Sequence, residues 1–143
     1  MKVSETGPTG ANELAVGTRI LIVDDDHSMR RLASDLINRL GLTPTTASSG
    51  EEAIALYRAA HTEGRPYAAV VMDLALPGGI SGLETTLAIR RIDGDAKVII
   101  SSGYLESGAR GAALQHGFSG FLTKPLSAEQ LTSELRQVLS GLD

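Results

Sequence analysis

Ala68-Ala69-Val70-Val71-Met72-Asp73-Leu74 is a short, almost wholly apolar run that closes on one carboxylate. Pro66 stands before it and Pro77-Gly78-Gly79 after it, so turn-forming residues bound it on both sides. Such a run reads as a strand buried on both faces of a sheet. An aspartate at its C-terminal end would stand at the mouth of an open α/β sheet, where folds of that class bind ligands. Three more apolar runs finish on polar groups. Ile20-Leu21-Ile22-Val23 leads into Asp24-Asp25-Asp26, Val98-Ile99-Ile100 into Ser101-Ser102, and Gly120-Phe121-Leu122-Thr123 into Lys124-Pro125. A parallel sheet would gather aspartates, a hydroxyl and a lysine along one edge.

The segments between these runs carry helical signals. Met29, Leu32, Ala33, Leu36, Ile37 and Leu40 recur at helical spacing, which predicts a helix from about Asp26–Ser28 to Gly41. Leu42–Ala47 reads as a weak strand that Pro44 confines to a sheet edge or a strand start. Ser49-Gly50-Glu51-Glu52 and Ser127-Ala128-Glu129-Gln130 read as capping boxes. The first opens a helix to about Ala60. The second opens a closing helix with Leu131, Leu135, Val138, Leu139 and Leu142 on one side. Gly82–Ile92 reads as a short helix, and Lys97–Ser101 and Ser119–Thr123 as the fourth and fifth strands. Residues 104–116 have helical composition broken by Gly108 and Gly111, the signature of the least regular helix. This βα alternation implies a parallel sheet covered by helices on both sides, with right-handed crossovers. Residues 1–18, with Gly7-Pro8, Gly10 and Gly17 and few large apolar groups, read as a disordered tail or linker, which leaves 19–143 as one domain.

Composition narrows the function. The net charge is -4, and Arg30-Arg31 and Arg90-Arg91 are isolated pairs, so there is no basic surface for nucleic acid or an anionic membrane. The absence of cysteine excludes disulfides and thiolate chemistry. No apolar run reaches bilayer length, and the N-terminus lacks the basic flank and apolar core of a signal peptide. A soluble cytoplasmic protein is the expectation.

Carboxylates gathered at one sheet edge repel one another, and a divalent cation relieves that repulsion. Oxygen ligands and retained waters suit Mg²⁺. The residues therefore read as a Mg²⁺ pocket of Asp24, Asp25 and Asp73, with Asp73 placed as a nucleophile toward a phosphoryl group. Lys124 would neutralise charge on the phosphoryl oxygens, and a hydroxyl from the fourth strand would hydrogen-bond them.

Taken in order, Asp24-Asp25, Asp73, Ser102-Gly103 and Lys124-Pro125 resemble the receiver domain of two-component response regulators, over about residues 19–142. The resemblance implies a flavodoxin-like (βα)5 doubly wound parallel sheet of strand order 2-1-3-4-5. It implies that Asp73 is the phosphoacceptor for a histidine kinase or a histidine phosphotransfer domain. Mg²⁺ would be held by Asp24, Asp25, Asp73 and the backbone carbonyl of Ala75. Ser102 would be the switch hydroxyl, Lys124 the phosphoryl contact and Phe121 the switch aromatic, with a cis bond before Pro125. Ala75 and Tyr104 would flank the approach of water to the acyl phosphate. Such a domain is a switch that assists its own phosphorylation and dephosphorylation rather than an enzyme acting on other molecules. Phosphoryl at Asp73 would draw Ser102 inward, repack Phe121 and shift a protein-binding face formed by the fourth helix, fifth strand and fifth helix. Phe121 stands where the family often has Tyr, so no ring hydroxyl serves either state. The loop from Pro77 to Gly82 is one residue longer than the commonest receiver pattern. Its Pro-Gly-Gly form, with Ser101-Ser102-Gly103-Tyr104, resembles the receivers of hybrid sensor histidine kinases.

Other readings compete at single residues. Asp24–Asp26 taken alone is a helix N-cap with a solvated turn, and Asp26 is assigned to capping. Lys124 alone would be a surface lysine. Phe121 alone would be core. Ser101 and Ser102 compete for the hydroxyl role; the family spacing to Lys124 favours Ser102, with Ser101 on the opposite face of the strand. His27, His61 and His116 are scattered and read as surface residues. A haloacid-dehalogenase-like phosphatase would use Asp24 as nucleophile and Asp26 as general acid, but it needs a later acidic pair and the closing helix offers only Glu129 and Glu134. The remaining alternative is an inert receiver-like binding module.

Overall fold

Each of the four apolar runs, and the Thr-rich stretch between the first two, forms a strand in the computed structural model, which describes residues 15–103, 115, 117–124 and 126–140. The strands are β1 (Arg19–Val23), β2 (Thr43–Ala47), β3 (Ala69–Asp73), β4 (Val98–Ser102) and β5 (Gly120–Thr123). The helices are α1 (His27–Arg39), α2 (Gly50–Thr62), α3 (Gly82–Ile92) and the closing helix α4 (Ala128–Leu139). All four strand pairings are parallel, in the order β2-β1-β3-β4-β5. This is the doubly wound order expected from the sequence. The helix read over 104–116, the roles read for Tyr104 and Pro125, the helix position of Leu142 and most of the N-terminal tail fall outside the described residues.

The order follows from burial. β3 sits between two other strands and is buried at every position, as its unbroken apolar run requires. The polar β2 takes an edge, where the missing N–H of Pro44 need cost no ladder bond. Side chains alternate between two layers. Ile20, Ile22, Val71, Ile99 and Leu122 pack with Ala33, Leu36 and Ile37 of α1 and with Leu131 and Leu135 of α4. Leu21, Val23, Val70, Met72, Val98, Ile100 and Phe121 pack with Ala53 and Tyr57 of α2 and Ile89 of α3. Each strand thus serves two cores and delivers its last residue to one edge. Among the described residues, no helix is long and apolar enough to cross a membrane.

The helix starts correct part of the sequence reading. Asp26 caps α1, accepting from the amides of Ser28 and Met29. Ser49 and Ser127 cap α2 and α4 through the amides of Glu52 and Gln130. Neither start closes as the reciprocal box that was read there. The Glu52 carboxylate turns to the amide and hydroxyl of Ser48, and the Gln130 amide turns to Thr123. The reciprocal box is at α3, where Ser81 and Glu84 bond each other's backbone amides at 3.0 Å each.

Candidate functional site

β1 and β3 are neighbours in register, with Val23 opposite Met72, so the next residues of each strand, Asp24 and Asp73, finish side by side. Both are buried, at 5% and 3% exposure. Lys124 follows the end of β5, and its side chain crosses the end of β4 to reach them. Its Nζ lies 2.8 Å from Asp24 Oδ2 and 3.4 Å from Asp73 Oδ2. Asp25 is exposed at the rim. One carboxylate oxygen from each of Asp24, Asp25 and Asp73 lies within 4.8 Å of the others. The structure therefore brings together the four charged residues singled out in the sequence.

Backbone groups fix the two buried acids. Asp73 Oδ1 accepts the Ala75 N–H at 3.0 Å, and Asp24 Oδ1 accepts the Asp26 N–H at 2.9 Å. The Arg30 guanidinium donates to the Asp24 carbonyl at 2.9 Å, tying α1 to the pocket. α3 begins against the Asp73 backbone. A Cβ on Gly82 would sit 2.4 Å from the Asp73 carbonyl oxygen, so any side chain there would force the helix off the strand. Glu51, at the start of α2, accepts the Ile80 amide at 3.3 Å and anchors the loop between β3 and α3.

Burial pushes the Asp73 carboxyl above its ordinary range, and the neighbouring Asp24 pushes it further. The Ala75 amide and Lys124 work against both without cancelling them. For Lys124, burial favours the neutral amine, but hydrogen bonding and charge from Asp24 and Asp73 outweigh it and raise its pKa. The pocket thus holds three carboxylates against one ammonium. Its hard oxygen donors, crowded within one coordination sphere, fit a Mg²⁺ ion.

Ser102, half-buried, ends β4 opposite Thr123. Its carbonyl accepts the Lys124 N–H at 2.8 Å. Ser102 shares a sheet face with Ile100, and Ile100 is in register with Phe121. Phe121 is buried, at 5% exposure, in the layer under α2 and α3. One residue beside β5 escaped the sequence reading. Glu134 of α4 is buried and accepts the Phe121 N–H at 3.1 Å. The one signal for it was Gly120, since glycine in a strand marks a close approach. A Cβ there would lie 2.6 Å from Glu134 Oε1.

The phosphatase alternative meets a local obstacle. The Asp26 carboxylate is engaged by two amides of α1, so it is committed as a cap and does not stand ready as a general acid.

The family model for the response regulator receiver domain matches residues 20–136. The transcriptional regulatory protein TcrA of Mycobacterium tuberculosis is 33% identical over 130 residues, which cover 91% of this chain and 49% of that protein. The chemotaxis protein CheY of Thermotoga maritima is 31% identical over 124 residues, which cover 86% of this chain and 98% of that one. A two-component response regulator of the LuxR family from Aurantimonas superposes with a TM-score of 0.73 at 35% identity, covering 87% of this chain and 86% of that one. The chain spans about half the length of the first curated relatives it matches. A receiver match across the whole sheet favours neither the phosphatase nor the inert module. The chain belongs to the response regulator receiver domain family, the phosphoacceptor switches of two-component signalling.

Proposed function

We propose that Asp73 accepts the phosphoryl group, taken from the phosphohistidine of a histidine kinase or a histidine phosphotransfer domain. A carboxylate oxygen of Asp73 attacks phosphorus, the P–N bond to the donor imidazole breaks, and the imidazole leaves with its electron pair and takes up a proton. The observation that carries this reading is the crowding of three carboxylates within 4.8 Å around the end of β3, with one ammonium bridging two of them. Such a pocket is costly as a structural device and useful as an electrostatic one. Asp24, Asp25, Asp73 and the Ala75 carbonyl would hold Mg²⁺. When bound, Mg²⁺ supplies the positive charge that lets an anionic phosphoryl group approach anionic oxygens.

The chain's own groups do the rest. Lys124, already 3.4 Å from Asp73, sets its ammonium against the oxygens of the incoming group. Ser102 hydrogen-bonds a phosphoryl oxygen once the acyl phosphate has formed. Phe121, on the same sheet face as Ser102, repacks in response and alters the surface around β5 and α4. The output is a population shift driven by contacts made only in the phosphorylated form. On this reading the chain works in the cytoplasm as a switch, its partners are the phosphohistidine donor and a downstream protein, and these residues contact no nucleic acid.

The test is incubation with acetyl phosphate, with and without Mg²⁺, followed by intact mass and peptide mapping. One phosphoryl group on Asp73, formed only with Mg²⁺, is the expected result. Label on Asp24 with rapid turnover would favour the phosphatase. Absence of label from both acetyl phosphate and a phosphohistidine donor would overturn the reading.

A further inference from the structure

Ser101 Oγ is the one buried side-chain polar atom among the described residues that has no hydrogen-bond partner. Ser101 is 2% exposed. Buried hydroxyls are nearly always paired, and an unpaired one destabilises the fold. Ser101 follows the apolar run Val98-Ile99-Ile100 in β4, so an alanine or valine would satisfy packing at this position without that penalty. A serine here calls for a use of its hydroxyl that the unphosphorylated form does not show.

Its place in the sheet says what that use is. Ser101 is in register with Asp73 on one side and Leu122 on the other. Register partners in a parallel sheet share a face. Leu122 and Ile99 belong to the layer under α1 and α4, and Asp73 stands two residues beyond Val71 of that same layer. Ser101 is therefore the last residue of β4 on the face that carries Asp24, Asp73 and Lys124. Lys124 starts from β5 and ends between Asp24 and Asp73. With β4 between its own strand and theirs, its side chain passes the end of β4 where Ser101 lies. An ammonium has three donors. Here one is 2.8 Å from Asp24, and the contact to Asp73 is longer, at 3.4 Å.

We propose that Ser101 is a positioning residue for Lys124: its hydroxyl accepts a hydrogen bond from the ammonium when Lys124 turns from Asp24 to a phosphoryl group on Asp73. The hydroxyl is unpaired in the unphosphorylated form because Asp24 holds the lysine. Pairing it only after phosphorylation adds stability to the switched state alone. This rests on the phosphoacceptor reading of Asp73, and it assigns to Ser101 a task separate from that of Ser102, whose side chain leaves the opposite face of β4.

The experiment compares the full chain with Ser101→Ala and with the isosteric pair Ser101→Thr and Ser101→Val, which differ in the hydroxyl. Thermal unfolding is measured with and without beryllofluoride and Mg²⁺, and the rate of Asp73 labelling by acetyl phosphate is followed by intact mass. Ser101→Ala should unfold a few degrees above the parent without beryllofluoride, and its shift on adding beryllofluoride should be smaller. Its labelling should slow about tenfold, as expected for losing one hydrogen bond to a charged group. Ser101→Thr should keep a larger shift and a faster rate than Ser101→Val. Equal shifts and equal rates for the Thr and Val variants would overturn the proposal, because a serine that merely packs moves both forms alike. Labelled parent protein with unchanged variants would remove this proposal and leave the phosphoacceptor reading intact. Unlabelled parent protein that beryllofluoride does not shift would remove both.

Discussion

Glu134 and Asp73 are buried to nearly the same degree, at 4% and 3% exposure, yet the two carboxylates sit in opposite kinds of surroundings. Glu134 lies over β5, which has a neighbour on one side only. It takes the N–H of Phe121. Gly120 is kept bare so that the carboxylate can come that close. Asp73 ends the central strand beside Asp24, with Asp25 at the rim and Lys124 shared between the two buried acids. It also receives one amide, from Ala75. The first acid completes a hydrogen bond that the fold needs. The second is held where burial and the neighbouring Asp24 disfavour its charge. Burial alone does not set the state of a carboxylate; at Asp73 a neighbouring acid adds to it.

The largest effect should come from Asp73→Asn. It removes the nucleophile, so acetyl phosphate labelling should fall below detection by intact mass. The amide oxygen can still accept the Ala75 N–H, and one crowded charge is gone, so urea unfolding should show stability equal to the parent or higher. Retained stoichiometric label would break the contrast at its functional end. Glu134→Ala should do the reverse. It leaves the Phe121 N–H without its acceptor inside the protein, which should cost about 2 kcal/mol in urea unfolding, while Asp73 is still labelled. Glu134→Gln keeps an acceptor oxygen and should lose less. A Glu134→Ala chain as stable as its parent would break the contrast at its structural end.

How far each acid was legible in the sequence follows from what set its place. Asp24, Asp73 and Lys124 were legible because each terminates an apolar run, and a parallel sheet aligns such ends whatever the helices do. Asp26 was legible as a cap because the partner amides are two and three residues away. The boxes at Ser49 and Ser127 were half right for the same reason. The serine acts on a local amide, but Glu52 and Gln130 found better partners in Ser48 and in Thr123 on another element. The helix start at Gly82 was legible, but its reciprocal box at Ser81–Glu84 was not, because Ser81 reads as the end of the Gly/Pro loop. Glu134 meets Phe121 across 13 residues of chain, and helical spacing gives no sign of it. Ser101 was legible as facing away from Ser102; that its hydroxyl has no partner depends on where Lys124 comes to rest.

The smallest expected effect lies in the pH dependence of stability, and it tests the contrast through charge alone. Burial and Asp24 raise the Asp73 pKa in the folded chain above the ordinary carboxylate range to which the unfolded chain returns it. For an acid shifted upward, ionisation opposes folding. Above the raised folded value both states are ionised, and the folded state carries the whole cost. As pH falls through the raised folded value, folded Asp73 takes up its proton before unfolded Asp73 does, and the cost shrinks. Below the ordinary range both states are protonated and the cost is gone. Asp73→Asn lacks it at every pH. The stability advantage of Asp73→Asn over the parent should therefore be greatest above the raised folded value and close as pH falls toward the ordinary carboxylate range. Lys124, whose pKa is raised, stays charged throughout this window, since its contribution is lost only as pH rises through the folded value. Urea unfolding of both chains from neutral pH downward reads the gap. A gap that widens on acidification would mean that Asp73 is held as comfortably as a structural acid, and that the crowding at the end of β3 is not what sets its chemistry.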